Sequence, residues 1–431
     1  MIAAYLGLKT PTVNRWRFAL PVILLLLSAC TANNRTAASI AQQLNRTMAA
    51  ETAVEKIAKI DYNDRDTAQH YLNLGYLQLV TGDFDSAISS LTRAKVTMRN
   101  LQAMSVSENL SAVTVNETLR AYTGWPTDRV MTHGLLAIAY IMKSDVDGAR
   151  VEMLQADTLM QQLAESNNEL GQLAFIRYLA GLVYELNGET DNALISYRKS
   201  YEIVEQRSQF VPHALQVALL RMSQQVGLKN EYDQYRAAFD VEAVNQSEMQ
   251  GVAHHVIYFD GVVSQLKETR TMVWYDIDGT YLNVALPRFG RDNYSPRNAT
   301  VETQSNLLRT EMIEDLERRA RNDFDDELPR ITATAVARAA TKYAAVKSAH
   351  DQDPMLGAFA NILTLASEVA DLRQWNTMPS SAQVARYIPN LPLYSVATPR
   401  ANVEITNDNP SHTVIFLTSI SSSAHFVQLN Q

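Results

Sequence analysis

Three times between Ala68 and Ser200 the sequence runs through the same order: an apolar helical segment ending near a small residue, a short polar turn, and a return helix with small residues along one face. Tyr71, Leu74 and Gly75 precede the turn Gly82-Asp83-Phe84, after which Ala87, Leu91 and Ala94 recur at helical spacing. Leu136, Ala137 and Tyr140 lead through Ser144-Asp145 to Ala149, Met153 and Ala156. Ala180, Gly181 and Tyr184 lead through Asn187-Gly188 to Ala193, Tyr197 and Ser200. A hairpin of this kind cannot bury its apolar faces alone, so the pattern requires a stack of hairpins. The equivalent alanines Ala87, Ala149 and Ala193 are unevenly spaced, and all lie further apart than the ~34-residue period of a regular array. The stack therefore carries insertions, the larger over Gln102 to Arg129. A fourth helical pair, Pro212 to Phe239, is predicted to cap it, and Ala49 to Ile60 to form a helix ahead of it.

These hairpins resemble the tetratricopeptide repeat (TPR), in which small residues at the eighth and twentieth positions let the two helices approach closely. Gln78 departs from the motif, which has an aromatic residue there. In that motif the second, fifth, ninth and twelfth positions of each first helix face a concave groove. Here they are Gln69, Leu72, Tyr76 and Leu79, then Met131, Gly134, Ile138 and Ile141, then Phe175, Tyr178, Leu182 and Glu185. So continuous an apolar strip is not left in water. Either the insertion, the N-terminal helix or the C-terminal half packs into it, which is the preferred reading, or a partner's helix or extended segment docks there. On the second reading Leu72, Tyr76, Leu79, Met131, Ile138, Ile141, Phe175, Tyr178 and Leu182 are the candidate partner-binding residues.

Residues 1–29 read as a signal peptide. Lys9, Arg15 and Arg17 precede the apolar run Phe18 to Leu27, which is too short to cross a bilayer as a helix. The run ends in Leu27-Ser28-Ala29-Cys30, which resembles the bacterial lipobox, so Cys30 is the expected lipidation site. It is the only cysteine, which leaves no disulfide to stabilise the fold. Thr31 after it, in place of Asp, favours the outer membrane in proteobacteria. Residues 30–47 are polar and small and are read as a lipidated tether, followed by the repeat domain at 48–240.

Beyond a polar linker at Val241 to Gln250, helical spacing gives way to alternation. Val256 to Val263, Thr271 to Tyr275 and Thr280 to Leu286 are predicted strands, with turn signals at Asp260-Gly261 and Asp278-Gly279. Leu307 to Phe324, Arg330 to Ser348 and Met355 to Ala370 are predicted helices. Val384 to Tyr387, Asn402 to Thr406 and Thr413 to Ile420 return to strand. The predicted fold is thus an all-α, TPR-like solenoid followed at 251–431 by an α+β domain with strands at both ends of its sequence.

Three stretches resemble an uncharacterised family of proteobacterial repeat-containing outer-membrane lipoproteins: His133 to Asp157 its second repeat, Leu282 to Pro287 a strand ending in proline, and Ala370 to Pro379 with Ala385-Arg386 the junction of last helix and final sheet. His254-His255 departs from the apolar or acidic residues expected there. The resemblance implies an envelope location and association with cell-wall or outer-membrane assembly machinery. It supplies no catalytic residue.

The residues themselves point the same way. No phosphate-binding glycine loop, nucleophile elbow, paired-cysteine zinc site or His-Glu-x-x-His helix is present, so neither enzyme activity nor a metal or cofactor is expected. His254 and His255, adjacent on a strand, point to opposite faces and cannot readily share a metal. Asp323, Asp325, Asp326 and Glu327 read as a solvated helix end before Pro329. Trp375 is expected to pack where helix meets sheet, with Arg373 bonding a carboxylate or chain end. Net charge is −8 with both signs interleaved, which excludes nucleic acid as a partner. The expected role is a non-catalytic scaffold or regulator of envelope assembly, bound to the periplasmic face of the outer membrane through Cys30 and to envelope proteins. A glycan-processing enzyme in the C-terminal domain and a subunit of an outer-membrane secretion or polysaccharide complex are the alternatives.

Overall fold

A computed structural model describes residues 34–105, 121–167, 169–239, 252–275, 280–290, 295–302, 307–366, 368–388, 393–406 and 412–429. The signal peptide, Cys30, the linker at 241–250, the Asp278-Gly279 turn and most of the large insertion lie outside them.

The hairpins form where the small residues place them. After α1 (34–44) and α2 (Ala50–Ala58), the pairs are α3 (Thr67–Val80) with α4 (Phe84–Ser105), α5 (Pro126–Met142) with α6 (Val146–Ser166), α7 (Ala174–Leu186) with α8 (Thr190–Gln206), and α9 (His213–Val226) with α10 (Lys229–Ala238). Closeness within pairs depends on the glycines: a Cβ on Gly75 would sit 2.7 Å from the Leu91 side chain, and one on Gly181 would sit 2.6 Å from the Tyr197 ring. The turn glycines Gly82 and Gly188 have φ of +84° and +74°, the left-handed region that glycine enters without steric cost.

The C-terminal half builds two sheets and a hairpin. One sheet has the order β11-β10-β1-β7-β6, with strands β1 (His254–Asp260), β6 (Glu311–Asp315), β7 (Ser381–Tyr387), β10 (His412–Thr418) and β11 (Ala424–Leu429). Within it β1 and β10 are parallel and the other pairs antiparallel. The second sheet has the order β5-β4-β8-β9, formed by β4 (Thr300–Glu302), β5 (Leu307–Arg309), β8 (Leu393–Ala397) and β9 (Asn402–Thr406). Among the described residues, strands β2 (Leu266–Tyr275) and β3 (Thr280–Phe289) pair only with each other. A helical hairpin, α11 (Leu316–Gln352) and α12 (Pro354–Ala366), separates β6 from β7. No described helix is long and apolar enough to cross a membrane.

Alternation along the central strands explains the layering. Ile257, Phe259, Ala382, Val384, Val414 and Phe416 join the repeat helices in one core, whereas Val256, Tyr258, Ala385, Tyr387, Ile415 and Leu417 pack against Val301, Tyr394, Val396 and Ile405 of the second sheet. A strand covered on both faces reads as a nearly continuous apolar run, as β1 and β10 do. The order of layers is therefore repeats, five-stranded sheet, four-stranded sheet.

Three expectations change. Residues 34–44 are not a tether but a helix, with Ala37, Ile40, Ala41 and Leu44 buried in the repeat core at the i, i+3, i+4, i+7 spacing of one helix face. Leu307 to Phe324 is not one helix: its first part pairs as β5 and β6, and the helix begins at Leu316. That helix also does not stop before Pro329 but runs through it.

Candidate functional site

All nine candidate groove residues, from Leu72 to Leu182, are buried at 1% exposure or less, because the C-terminal half lies in the groove. Their reading as a partner-binding surface is thereby corrected. Phe259 of β1 stands between the first and third hairpins, its ring centroid 6.3 Å from that of Tyr76 and 5.4 Å from that of Phe175. Phe416 of β10 backs it at 5.5 Å, and Trp375 meets Tyr76 edge-on at 6.3 Å. At the far edge of the sheet, His425 of β11 donates to the Val80 carbonyl, 3.0 Å away at the end of α3.

The two polar ends of the strip are matched by the incoming domain. Gln69 donates through Nε2 to the Gln374 carbonyl at 2.8 Å and to Asn376 Oδ1 at 3.0 Å, and the Thr377 amide donates to Asn73 Oδ1 at 2.9 Å. Glu185 receives both arms of Arg386, at 2.6 and 2.9 Å, and the Tyr197 hydroxyl at 2.9 Å. Burial raises the Glu185 carboxyl, but the Arg386 charge and its two hydrogen bonds outweigh that and hold it well below the usual carboxylate range. The pair is a bidentate buried ion pair across the seam.

Carboxylates from the C-terminal half also close the starts of three repeat helices. Asp323 of α11 accepts from the Thr127 amide at 2.8 Å, Glu314 of β6 from the Ala174 amide at 2.6 Å, and Glu311 of β6 from the His213 amide at 2.5 Å. α7 and α9 have no side-chain hydrogen bond from their own N-cap residues, Leu173 and Pro212, so the free amides at those ends are met from outside. Asp323 is thus not part of a solvated helix end. It is 2% exposed, and burial pushes it up to about 7.

His254 and His255 are both buried, and they do face opposite ways. His254 Nδ1 lies 2.6 Å from the Tyr394 hydroxyl on the second sheet. His255 stacks on His412 beside the Glu185–Arg386 pair, with centroids 6.0 Å apart, and burial holds both rings below their ordinary pKa, hence neutral near pH 7. Among the described residues no cluster of three or more His, Cys, Asp or Glu could hold a metal. Trp375 is 1% exposed at the helix–sheet junction, and Arg373 bonds Asp371 and Asp66, as the sequence reading has it.

Buried carboxylates with raised pKa are where paired acid–base chemistry would be sought. Burial pushes Asp128 up to about 6, but it accepts from the Tyr122 hydroxyl and the Trp125 amide at the start of α5. Asp323 borders a small cavity next to Arg319 and Asp326, and Asp128 is not part of its lining. Both acids are taken up at the start of α5, where Asp128 accepts from the Trp125 amide and Asp323 from the Thr127 amide, and the Asp128 charge adds to the rise of Asp323. Sequence reasoning missed Glu311, Glu314 and Arg386 as groove partners. The signal available was Gln69 and Glu185, polar positions closing an otherwise apolar strip.

No family model matches the sequence, and no curated protein does. Among solved structures it is similar to MamA (20% identity over 43% of this chain and 84% of that one, TM-score 0.29; in a second structure 18%, 50%, 91% and 0.33). It is also similar to RapI in its apo form, at 14% identity over 46% of this chain and 49% of that one, TM-score 0.32. MamA and the Rap proteins are TPR-repeat proteins. At TM-scores this low the likeness carries no functional argument. The helical solenoid stands on the hairpins and close glycine contacts described above.

Proposed function

We propose that the chain is a non-catalytic scaffold of the bacterial envelope, held through lipidated Cys30 at the periplasmic face of the outer membrane, and that it meets envelope protein partners with the outside of its body. The observation that carries this reading is the occupied groove. Because the five-stranded sheet fills the repeats, and the C-terminal half bonds both ends of the strip through Gln374 and Arg386, the halves share one core and their mutual geometry is fixed. A part that positions other proteins needs that rigidity. With α1 starting four residues after Cys30, an anchor there would hold the body within about 14 Å of its attachment point, without a long tether.

Metabolic labelling with a fatty acid tests the anchor: wild type is expected to take the label and Cys30→Ser to lose it, and equal labelling of both would sink the reading. For the scaffold, photo-crosslinkers at exposed Ile195 on α8 and Phe359 on α12 are expected to capture a defined envelope protein in cells. Silence at both positions would count against it.

A further inference from the structure

An open cleft of about 600 Å³ lies where the end of α1, the segment after β1 and the base of the β2–β3 hairpin meet. Its described lining includes four cationic side chains, Arg46, Lys267, Arg288 and Arg297, and no carboxylate. In a chain of net charge −8 this gathering runs against the overall balance. Four residues spread over 251 positions of sequence are brought together only by the fold.

Two features indicate that the charges serve a ligand. Lys267 and Arg288 are direct partners in the antiparallel β2–β3 register, and like charges placed opposite each other destabilise a sheet. An anion between them removes that repulsion. Arg297 is held in place from below: its backbone amide donates to Asp260 Oδ2 at 2.8 Å and its Nη2 lies 3.2 Å from Asp260 Oδ1, while Asp260 itself is fully buried. Glu317, which accepts from the Ser264 amide of the cleft wall, is paired with Arg321. One anchored guanidinium, with three further cations about it, therefore faces a space of the size that holds small molecules.

The geometry points to a binding site for a phosphate-bearing ligand. Several cations round one cleft suit a multiply charged group better than a single carboxylate, and arginine forks match its oxygens in pairs. Two sources share that chemistry: a soluble phosphoester, or a phospholipid headgroup. The second source rests on the proposed anchor. It gains from the placement of Arg46 just past α1, whose start lies four residues after Cys30 and whose length is about 15 Å.

The test uses the full chain in neutral detergent and two probes, inorganic pyrophosphate and detergent micelles doped with phosphatidylglycerol, with phosphatidylcholine as control. Binding is read by calorimetry and by the rise in melting temperature. Wild type is expected to bind at least one probe, less tightly as salt is raised. Lys267→Gln with Arg288→Gln should weaken that binding by about tenfold or more, because two charge-assisted contacts are lost. The same double variant should melt no lower than wild type, since repulsion across the strand pair is removed, so misfolding cannot imitate the loss. Response to pyrophosphate assigns a soluble phosphoester, and response to phosphatidylglycerol alone assigns a headgroup. A wild type that binds neither probe, or a folded double variant that binds as tightly, would overturn the site. The pyrophosphate result does not depend on whether Cys30 is acylated.

Discussion

Asp323 shows how much a single residue can do at the seam. It lies on α11, it closes the start of α5 through the Thr127 amide, and burial has raised it to about 7. A carboxyl whose folded pKa lies above its unfolded value keeps a proton in the folded state that the unfolded chain has released, so its contribution to stability is present at low pH and is lost as pH rises through the folded value. For Asp323 the window runs from the ordinary carboxylate range, near 4, up to about 7, and the loss across it reaches about 4 kcal/mol. Urea melts should therefore show the wild type more stable at pH 5 than at pH 7.5, with Asp323→Asn flattening much of that difference. An unchanged pH profile in the variant would mean that Asp323 ionises freely. None of this is visible in the sequence, where Asp323 stands among Asp325, Asp326 and Glu327 and reads as part of a solvated patch. Its approach to the start of α5 takes it out of water.

At the scale of elements, the hairpins were legible because their signal is local. Small residues one turn apart on facing helices are written directly into the chain, as Gly75 against Leu91 and Gly181 against Tyr197 confirm. Helix α1 was legible too, in the spacing of Ala37, Ile40, Ala41 and Leu44, but its polar neighbours gave the segment the composition of a tether. Strands β5 and β6 were lost for the opposite reason. Leu308, Met312 and Ile313 fit a helical spacing, and what makes them strands is pairing, of β5 with neighbouring β4 and of β6 with distant β7. The groove gives the element-scale prediction. With Ile138 of α5 and Tyr178 of α7 buried, Ile138→Asp and Tyr178→Asp each place an unpaired carboxylate in the shared core and should cost several kcal/mol, on the order of 3 or more. Thermal melts decide it: variants that melt like wild type would mean that the groove opens to solvent and would return the nine residues to the list of partner contacts.

The whole molecule is divided by sequence and joined by its core. The change from helical spacing to alternation near residue 250 marks a real change of architecture, yet Tyr76, Phe175, Phe259 and Phe416 belong to one apolar cluster. Glu185–Arg386, and the carboxylates of α11 and β6 that accept from the starts of α5, α7 and α9, bind the same two halves at their polar positions. A chain of independent domains would unfold in separate steps, whereas halves that share a core lose their mutual support together. The full body should therefore unfold in one cooperative transition, with fluorescence of the tryptophans and circular dichroism of the helices changing at the same denaturant concentration. Cutting the chain after residue 240 should do more than remove a domain. It leaves Leu72, Tyr76, Ile138, Tyr178 and Leu182 facing water and the starts of α7 and α9 without the carboxylates that close them. That fragment should bind a hydrophobic dye, melt well below the full chain and tend to aggregate, and adding the separately produced second half should reverse these changes. Two resolved transitions in the full chain, together with a repeat fragment as stable alone as in the whole, would show that the sheet merely rests on the repeats.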